Sequence, residues 1–218
     1  MDKSFNYIIS PDISEFRRFS PKLKIGVLAS GKGTNFQELI NLSEKGELDI
    51  DIKVLITNKD DAGCIKRAEN EEIPYKVIKG KDFEQKELFE VEIINTLIHY
   101  DVELVVMAGW MKIATPFFIN KFKNKIINIH PSLLPAYKGG SAINDSILNG
   151  SKITGCSVHF VDEEVDSGAL IMQAALSIRD DDDIESLSKR IQMLEHKILH
   201  HSSSLAGFLI RSNFMENY

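Results

Sequence analysis

Residues 103–130 read Glu-Leu-Val-Val-Met-Ala-Gly-Trp-Met-Lys-Ile-Ala-Thr-Pro-Phe-Phe-Ile-Asn-Lys-Phe-Lys-Asn-Lys-Ile-Ile-Asn-Ile-His. An apolar run at 103–108, a helix-like stretch at 114–121 and a second apolar run at 125–130 make one strand–helix–strand unit. Strands that are apolar almost throughout lack the alternation of a half-solvated sheet, so they fit a parallel sheet covered on both faces.

Outward from this unit the same alternation recurs. Strands are predicted at 24–30, 50–57 and 74–79, with helices at 35–45, 62–70 and 82–99. Beyond residue 150, apolar runs at 153–161 and 169–178 flank an acidic turn, which predicts an antiparallel hairpin, and a helix follows at about 183–200. The expected fold is therefore α/β and Rossmann-like: a mostly parallel sheet flanked by helices on both faces, with an antiparallel C-terminal hairpin extension. Residues 1–22 read as a leader or loosely packed arm whose Arg17-Arg18 pair is a solvated surface. Residues 23–200 read as the domain and 201–218 as a tail.

The chain has 218 residues, 43% of them hydrophobic and 27% charged, enough for one domain with a proper core. A net charge of −6 argues against nucleic acid or an anionic membrane as main partner. Cys64 and Cys156 are far apart and form no metal-binding pair, so a reducing cytoplasm is the simpler reading. No signal-peptide pattern opens the chain, and no apolar run approaches the ~18 residues that a membrane span needs.

The second strand of the opening unit runs into Asn128-Ile129-His130-Pro131-Ser132-Leu133-Leu134-Pro135. Asn128 and His130 sit two apart, so an extended chain points both side chains to one side, and Pro131 biases His130 toward that conformation. In open α/β sheets the carboxyl end of a strand faces the ligand crevice. An amide donor and an imidazole held side by side there suit stabilising an oxyanion and moving a proton. The acid to partner them is Asp166, placed before the small Ser167-Gly168 pair in the acidic loop Asp162-Glu163-Glu164-Val165-Asp166. A carboxylate beside His130 would fix its tautomer and offset its positive charge. His159 is a weaker candidate and reads rather as a strand histidine making a structural hydrogen bond. His99, His196, His200 and His201 show no ligand spacing, so no metal is expected.

Ser30-Gly31-Lys32-Gly33-Thr34-Asn35 joins the first strand of the alternating series to its helix. It is not a Walker loop, because Gly33 replaces the hydroxyl residue after Gly31-Lys32. Nor is it a dinucleotide fingerprint, because Phe36 stands where the third glycine belongs. What remains is a donor-rich turn suited to a single phosphate. A capping box of Thr34 with Gln37 would explain the threonine without any ligand.

These motifs, with Met107-Ala108-Gly109-Trp110-Met111, Ser157 through Gly168 and Gln192…Glu195, resemble the phosphoribosylglycinamide formyltransferase family of folate-dependent enzymes. The resemblance covers Lys24 to about Leu199. It implies formyl transfer from 10-formyltetrahydrofolate to the amine of glycinamide ribonucleotide in purine synthesis, with no metal and no nicotinamide, by a monomer or homodimer. Asn128, His130 and Asp166 are the implied catalytic group. Gly33, Thr34 and Asn35 are implied to hold the ribonucleotide phosphate, with Gln192 and Glu195 closing over that substrate. The folate is implied to lie against Met111, Lys112, Ile113 and Ala114, near Val161, Asp162 and Val165, with Lys86 at its glutamate tail. Ile184, Leu187, Ile191, Leu194 and Ile198 form an apolar stripe that would put Gln192 and Glu195 on one flank of the last helix. Two departures concern local fit: Gly140-Ser141-Ala142-Ile143 stands where some relatives carry histidines, and Cys156 where threonine is common.

Other readings remain open. A methionyl-tRNA formyltransferase would need a basic C-terminal domain, and a formyltetrahydrofolate hydrolase an N-terminal regulatory one. An amino-sugar formyltransferase, or a nucleotide-binding module without chemistry, also fits parts of the pattern.

Overall fold

The computed structural model describes residues 6–12 and 17–212. Its strands are β1 (Tyr7–Ser10), β2 (Leu23–Leu28), β3 (Ile50–Thr57), β4 (Tyr75–Val77), β5 (Leu104–Met107), β6 (Ile126–His130), β7 (Ile153–Phe160) and β8 (Leu170–Ser177). Its helices are α1 (Thr34–Glu44), α2 (Gly63–Asn70), α3 (Lys86–His99), α4 (Pro116–Lys121), α5 (Ala142–Leu148) and α6 (Ile184–Arg211). All eight strands join one sheet in the order β1-β8-β7-β6-β5-β2-β3-β4. The block from β6 to β4 is parallel, and β7, β8 and β1 continue it antiparallel. This is the expected mostly parallel sheet with its antiparallel extension.

Alternate residues of the central strands feed opposite cores. Val27, Leu104, Val106, Ile127 and Ile129 pack under α1, α2 and α6, whereas Leu28, Val105, Met107 and Ile126 pack under α3 and α4. Both faces are covered, which is why these strands carry no polar alternation. The connections leaving β2 and β5 run to opposite sides of the sheet, so the crevice beyond their carboxyl ends is a topological switch point.

Five expectations need correction. First, the tail at 201–218 is helical as far as Arg211, because α6 runs for 28 residues. Its last turns fully bury only the small Ser202, Ser203, Ser204, Ala206 and Gly207, with Leu205, Leu209 and Ile210 packed partly buried beside them, so no clear stripe is visible in the sequence. Ser203 Oγ donates to the Leu199 carbonyl of its own helix at 2.8 Å, and that bond makes its burial affordable. Second, residues 7–10 form an edge strand on β8, and Phe19 is buried in the core. Arg17 and Arg18 are exposed, yet the Arg17 guanidinium lies 4.8 Å from the centre of the Phe208 ring.

Third, α3 begins at Lys86, four residues later than expected, after a single 3-10 turn at Gly80–Asp82. Fourth, no Thr34–Gln37 capping box forms: α1 is capped by Gly33 in the left-handed region with φ 69°, without a side-chain cap bond. A side chain at Gly33 would also place its Cβ 2.6 Å from the Cys64 Cβ, so the tight turn demands glycine. Fifth, Ile184, expected in the stripe, is half exposed, whereas Leu187, Ile191, Leu194 and Ile198 are buried.

Candidate active site

The tip of β6 carries the centre. Because β6 pairs antiparallel with β7, Asn128 stands opposite His159 and His130 opposite Ser157. Asp166 comes in from the β7–β8 connection with φ 51°. Its Oδ2 lies 3.2 Å from His130 Nδ1 and accepts from the Gly139 N–H at 2.8 Å. Its Oδ1 accepts from Asn128 Nδ2 at 3.4 Å and lies 3.5 Å from His159 Nε2. One carboxylate therefore ties together Asn128, His130 and His159, and its side chain is only 10% exposed. Burial works to raise the Asp166 carboxyl, but the hydrogen bonds of His159 and the Gly139 amide, with the charge of His130, hold it below the usual carboxylate value.

His130 Nε2 lies 2.8 Å from the Tyr137 carbonyl, so both ring nitrogens face acceptors. Only the doubly protonated ring donates to both. Tyr137 is fixed in turn by its hydroxyl, 2.6 Å from Ser151 Oγ. His159 has its Nδ1 2.8 Å from the Phe160 carbonyl and its Nε2 3.2 Å from Asn128 Nδ2. The first contact is the structural hydrogen bond expected of a strand histidine, and the second sets His159 against the Asn128 amide. No local signal in the sequence marks this placement, which comes from the register of β6 against β7.

The glycine loop forms the second part. Ser30 donates its N–H to the Gly109 carbonyl, and its Oγ accepts from the Met111 N–H, both at 3.0 Å, which ties this loop to the segment after β5. Gln192 Nε2 donates to Thr34 Oγ1 at 2.9 Å, and Asn35 Nδ2 donates to Glu195 Oε2 at 2.9 Å. α6 thus reaches across to the loop through the two flank residues. Burial pushes the Glu195 carboxyl up, against the opposing pull of the Asn35 hydrogen bond.

A cavity of about 520 Å³ unites these parts. It is lined by Gly33, Thr34 and Asn35, by Asn128, His130 and Asp166, and by Gln192 and Glu195. Met111, Lys112, Ile113, Ala114, Val161, Asp162 and Val165 form its other wall. Lys86 does not line it; it stands exposed at the start of α3. Of the Gly140-Ser141-Ala142-Ile143 stretch, Gly140 lines the cavity beside Gly139, whereas Ile143 packs toward the core. Cys156 is fully buried, and burial, then the charge of Glu195, pushes its thiol well up, so it is no nucleophile. Among the described residues no group of three or more His, Cys, Asp or Glu side chains is arranged to hold a metal ion.

The formyl transferase family model matches residues 23–202. The chain is 44% identical over 178 residues to the trifunctional purine biosynthetic protein adenosine-3 of Chironomus tentans, covering 81% of this chain and 13% of that protein. With its counterpart from Homo sapiens the identity is 37% over 177 residues, covering 81% and 18%. The chain spans between 13% and 18% of the length of the curated relatives it matches. Among solved structures, phosphoribosylglycinamide formyltransferase from Bacillus halodurans superposes with a TM-score of 0.81 at 36% identity, covering 85% of this chain and 95% of that one. Glycinamide ribonucleotide transformylase 1 from Symbiobacterium toebii gives 0.84 at 33% identity, covering 91% and 92%.

Proposed function

The chain belongs to the formyl transferase family, and from that premise we propose that it is a phosphoribosylglycinamide formyltransferase, moving a formyl group from 10-formyltetrahydrofolate to the amine of glycinamide ribonucleotide in purine synthesis. The observation that carries this reading is the joining of three parts in one cavity: a glycine loop at a helix start, a carboxylate-bound Asn–His pair, and a largely apolar wall. About 520 Å³ is within the range of small-molecule sites and suits a ligand with a fused ring.

In this reading the backbone of Gly33, Thr34 and Asn35 takes the phosphate at the start of α1, where free N–H groups point outward. Gln192 and Glu195 face the sugar side of the same ligand. The folate packs along Met111, Lys112, Ile113 and Ala114, its ring turned toward Val161, Asp162 and Val165, and its glutamate tail runs out toward Lys86. Both substrates then meet at Asn128 and His130.

Attack of the amine on the formyl carbon forms one C–N bond and leaves an oxyanion on that carbon. The Asn128 amide, turned from Asp166 toward the substrate, donates to it, an effect of about 10²–10³ in rate for one such donor, and the His130 ring, whose two N–H groups are held by Asp166 and the Tyr137 carbonyl, contributes through its charge. Asp166 balances the charge on the ring and holds it in place. Breaking the bond to the folate nitrogen releases tetrahydrofolate, and the proton lost by the attacking amine ends on that nitrogen. Holding the two substrates in register supplies much of the rest. Both binding regions lie within one chain, so a monomer carries a whole centre and a homodimer would repeat it. The two free, buried cysteines fit a reducing cytoplasm.

The test is a formyl-transfer assay with 10-formyltetrahydrofolate and glycinamide ribonucleotide, run beside His130→Ala. Folate release that depends on the ribonucleotide and is largely lost in the variant supports the proposal. Release without the ribonucleotide would mark a hydrolase, and no release with it would turn the search to amino-sugar acceptors.

A further inference from the structure

The wall formed by residues 108–115 has no regular secondary structure, yet it must keep one shape if it is to receive a flat ligand. Its start is pinned by the sheet: the Ala108 N–H donates to the Leu28 carbonyl at 2.9 Å, and Ser30 bonds to both Gly109 and Met111. Its middle is held by α3, where Phe89 stacks almost parallel to Trp110 with ring centres 6.3 Å apart. Its end is held by the next residue of that helix. Glu90, 2% exposed, accepts from the Thr115 N–H at 2.8 Å through Oε1 and from the Thr115 hydroxyl through Oε2.

Both oxygens of a buried carboxylate thus serve a single residue, the one from which α4 starts. Burying a carboxylate opposes folding unless it is well bonded. An apolar side chain would fill this space, but it could not fix a backbone amide and a hydroxyl together. Lys112, Ile113 and Ala114 lie between the two anchors supplied by α3, so their placement on the cavity wall follows from Phe89 and Glu90.

We propose that Glu90 is a positioning residue for the folate site: by gripping Thr115 it sets the shape of the 108–115 wall, without touching either substrate. This rests on the reading of that wall as the folate side of the cavity. The ribonucleotide side, built by the glycine loop and α6, should not feel the loss.

Trp110 is the single tryptophan of the chain, so its emission reports the wall directly and without turnover. In Glu90→Ala the KM for 10-formyltetrahydrofolate should rise about tenfold, the effect of one lost charge-assisted hydrogen bond. The KM for glycinamide ribonucleotide should stay within about twofold of the parent. Trp110 emission should shift to the red, and Glu90→Gln, which keeps shape and one acceptor, should recover most of both changes. If Glu90→Ala does not fold, Thr115→Val decides: it removes the hydroxyl alone, and the folate KM should rise about threefold. Unchanged folate KM and Trp110 emission overturn the proposal, as does an equal rise in both KM values in step with a lowered Tm. If the parent protein shows no folate dependence, the functional reading falls and the folate role of Glu90 with it, while Trp110 emission still decides whether Glu90 holds the wall.

Discussion

Asp166 has more depending on it than any other single residue of the centre. It accepts from a backbone amide, stands against two imidazoles and orients a carboxamide, all from one buried carboxylate. Asp166→Asn keeps the shape but puts an N–H₂ group where donors already converge, so at least one of these contacts must break. The expected result is a fall in kcat of about 10²-fold or more, with both KM values changed far less. The same substitution should alter stability in a defined pH window. The folded carboxyl titrates below 3.8, so its contribution is complete above that pH and is lost as pH falls through 3.8 toward the lower folded value. In urea denaturation the variant should be weaker than the parent near neutrality, and the gap should narrow as the pH is taken below 3.8. A gap that stays constant would mean that the carboxylate acts through packing alone.

Among the elements, α6 spans the greatest range of environments, from its capping box at Asp183 and Ser186 to the contact of Gly207 with Leu23. His200 lies buried midway along it. Desolvation, reinforced by His201 and by Lys197 and His196, lowers its ring from 6.5 to about 4, partly offset by a backbone hydrogen bond involving His196. Between those values the unfolded chain binds a proton that the folded chain refuses, so stability must fall as pH drops from about 6.5 to about 4. The loss should reach about 2–3 kcal/mol, and His200→Gln should flatten that part of the urea profile. This window lies above that of Asp166, so the two can be separated by titration. The front half of α6 was legible in the sequence because its buried face is built from leucines and isoleucines. The back half was not, because serines, an alanine and a glycine are its buried residues, and their polar groups are met one by one: Ser203 bonds to the Leu199 carbonyl of its own helix and Ser204 Oγ accepts from the Arg17 N–H. At the centre, Asn128 and His130 could be read from spacing of two along one strand. His159 could not, because its place beside them depends on the register between two strands that no local pattern encodes. The glycine loop could be recognised as a donor-rich turn, but Thr34 was credited with a cap that Gly33 provides.

For the whole molecule, the sheet sets what can vary independently. The centre sits at β6 and β5, in the interior of the strand order, and β1 sits at the far edge beyond β7 and β8. Along its length β1 pairs Tyr7 with Leu176 and Ser10 with Gln173, satisfying the outer main-chain groups of β8. Deleting residues 1–11 would leave that edge open, and an open edge is a template for another copy of the chain. Thermal denaturation should then show a loss of about 1–3 kcal/mol, from a short ladder of main-chain hydrogen bonds. Gel filtration should show concentration-dependent association beyond the state of the full chain. Phe19 remains in the core in such a truncation, so the anchoring of the arm near α6 is kept and only the edge is tested. Because two strands lie between β1 and β6, kcat at low protein concentration should stay within about twofold. A fall in kcat larger than that would mean that the edge strand shapes the β7–β8 connection and, through it, the placement of Asp166.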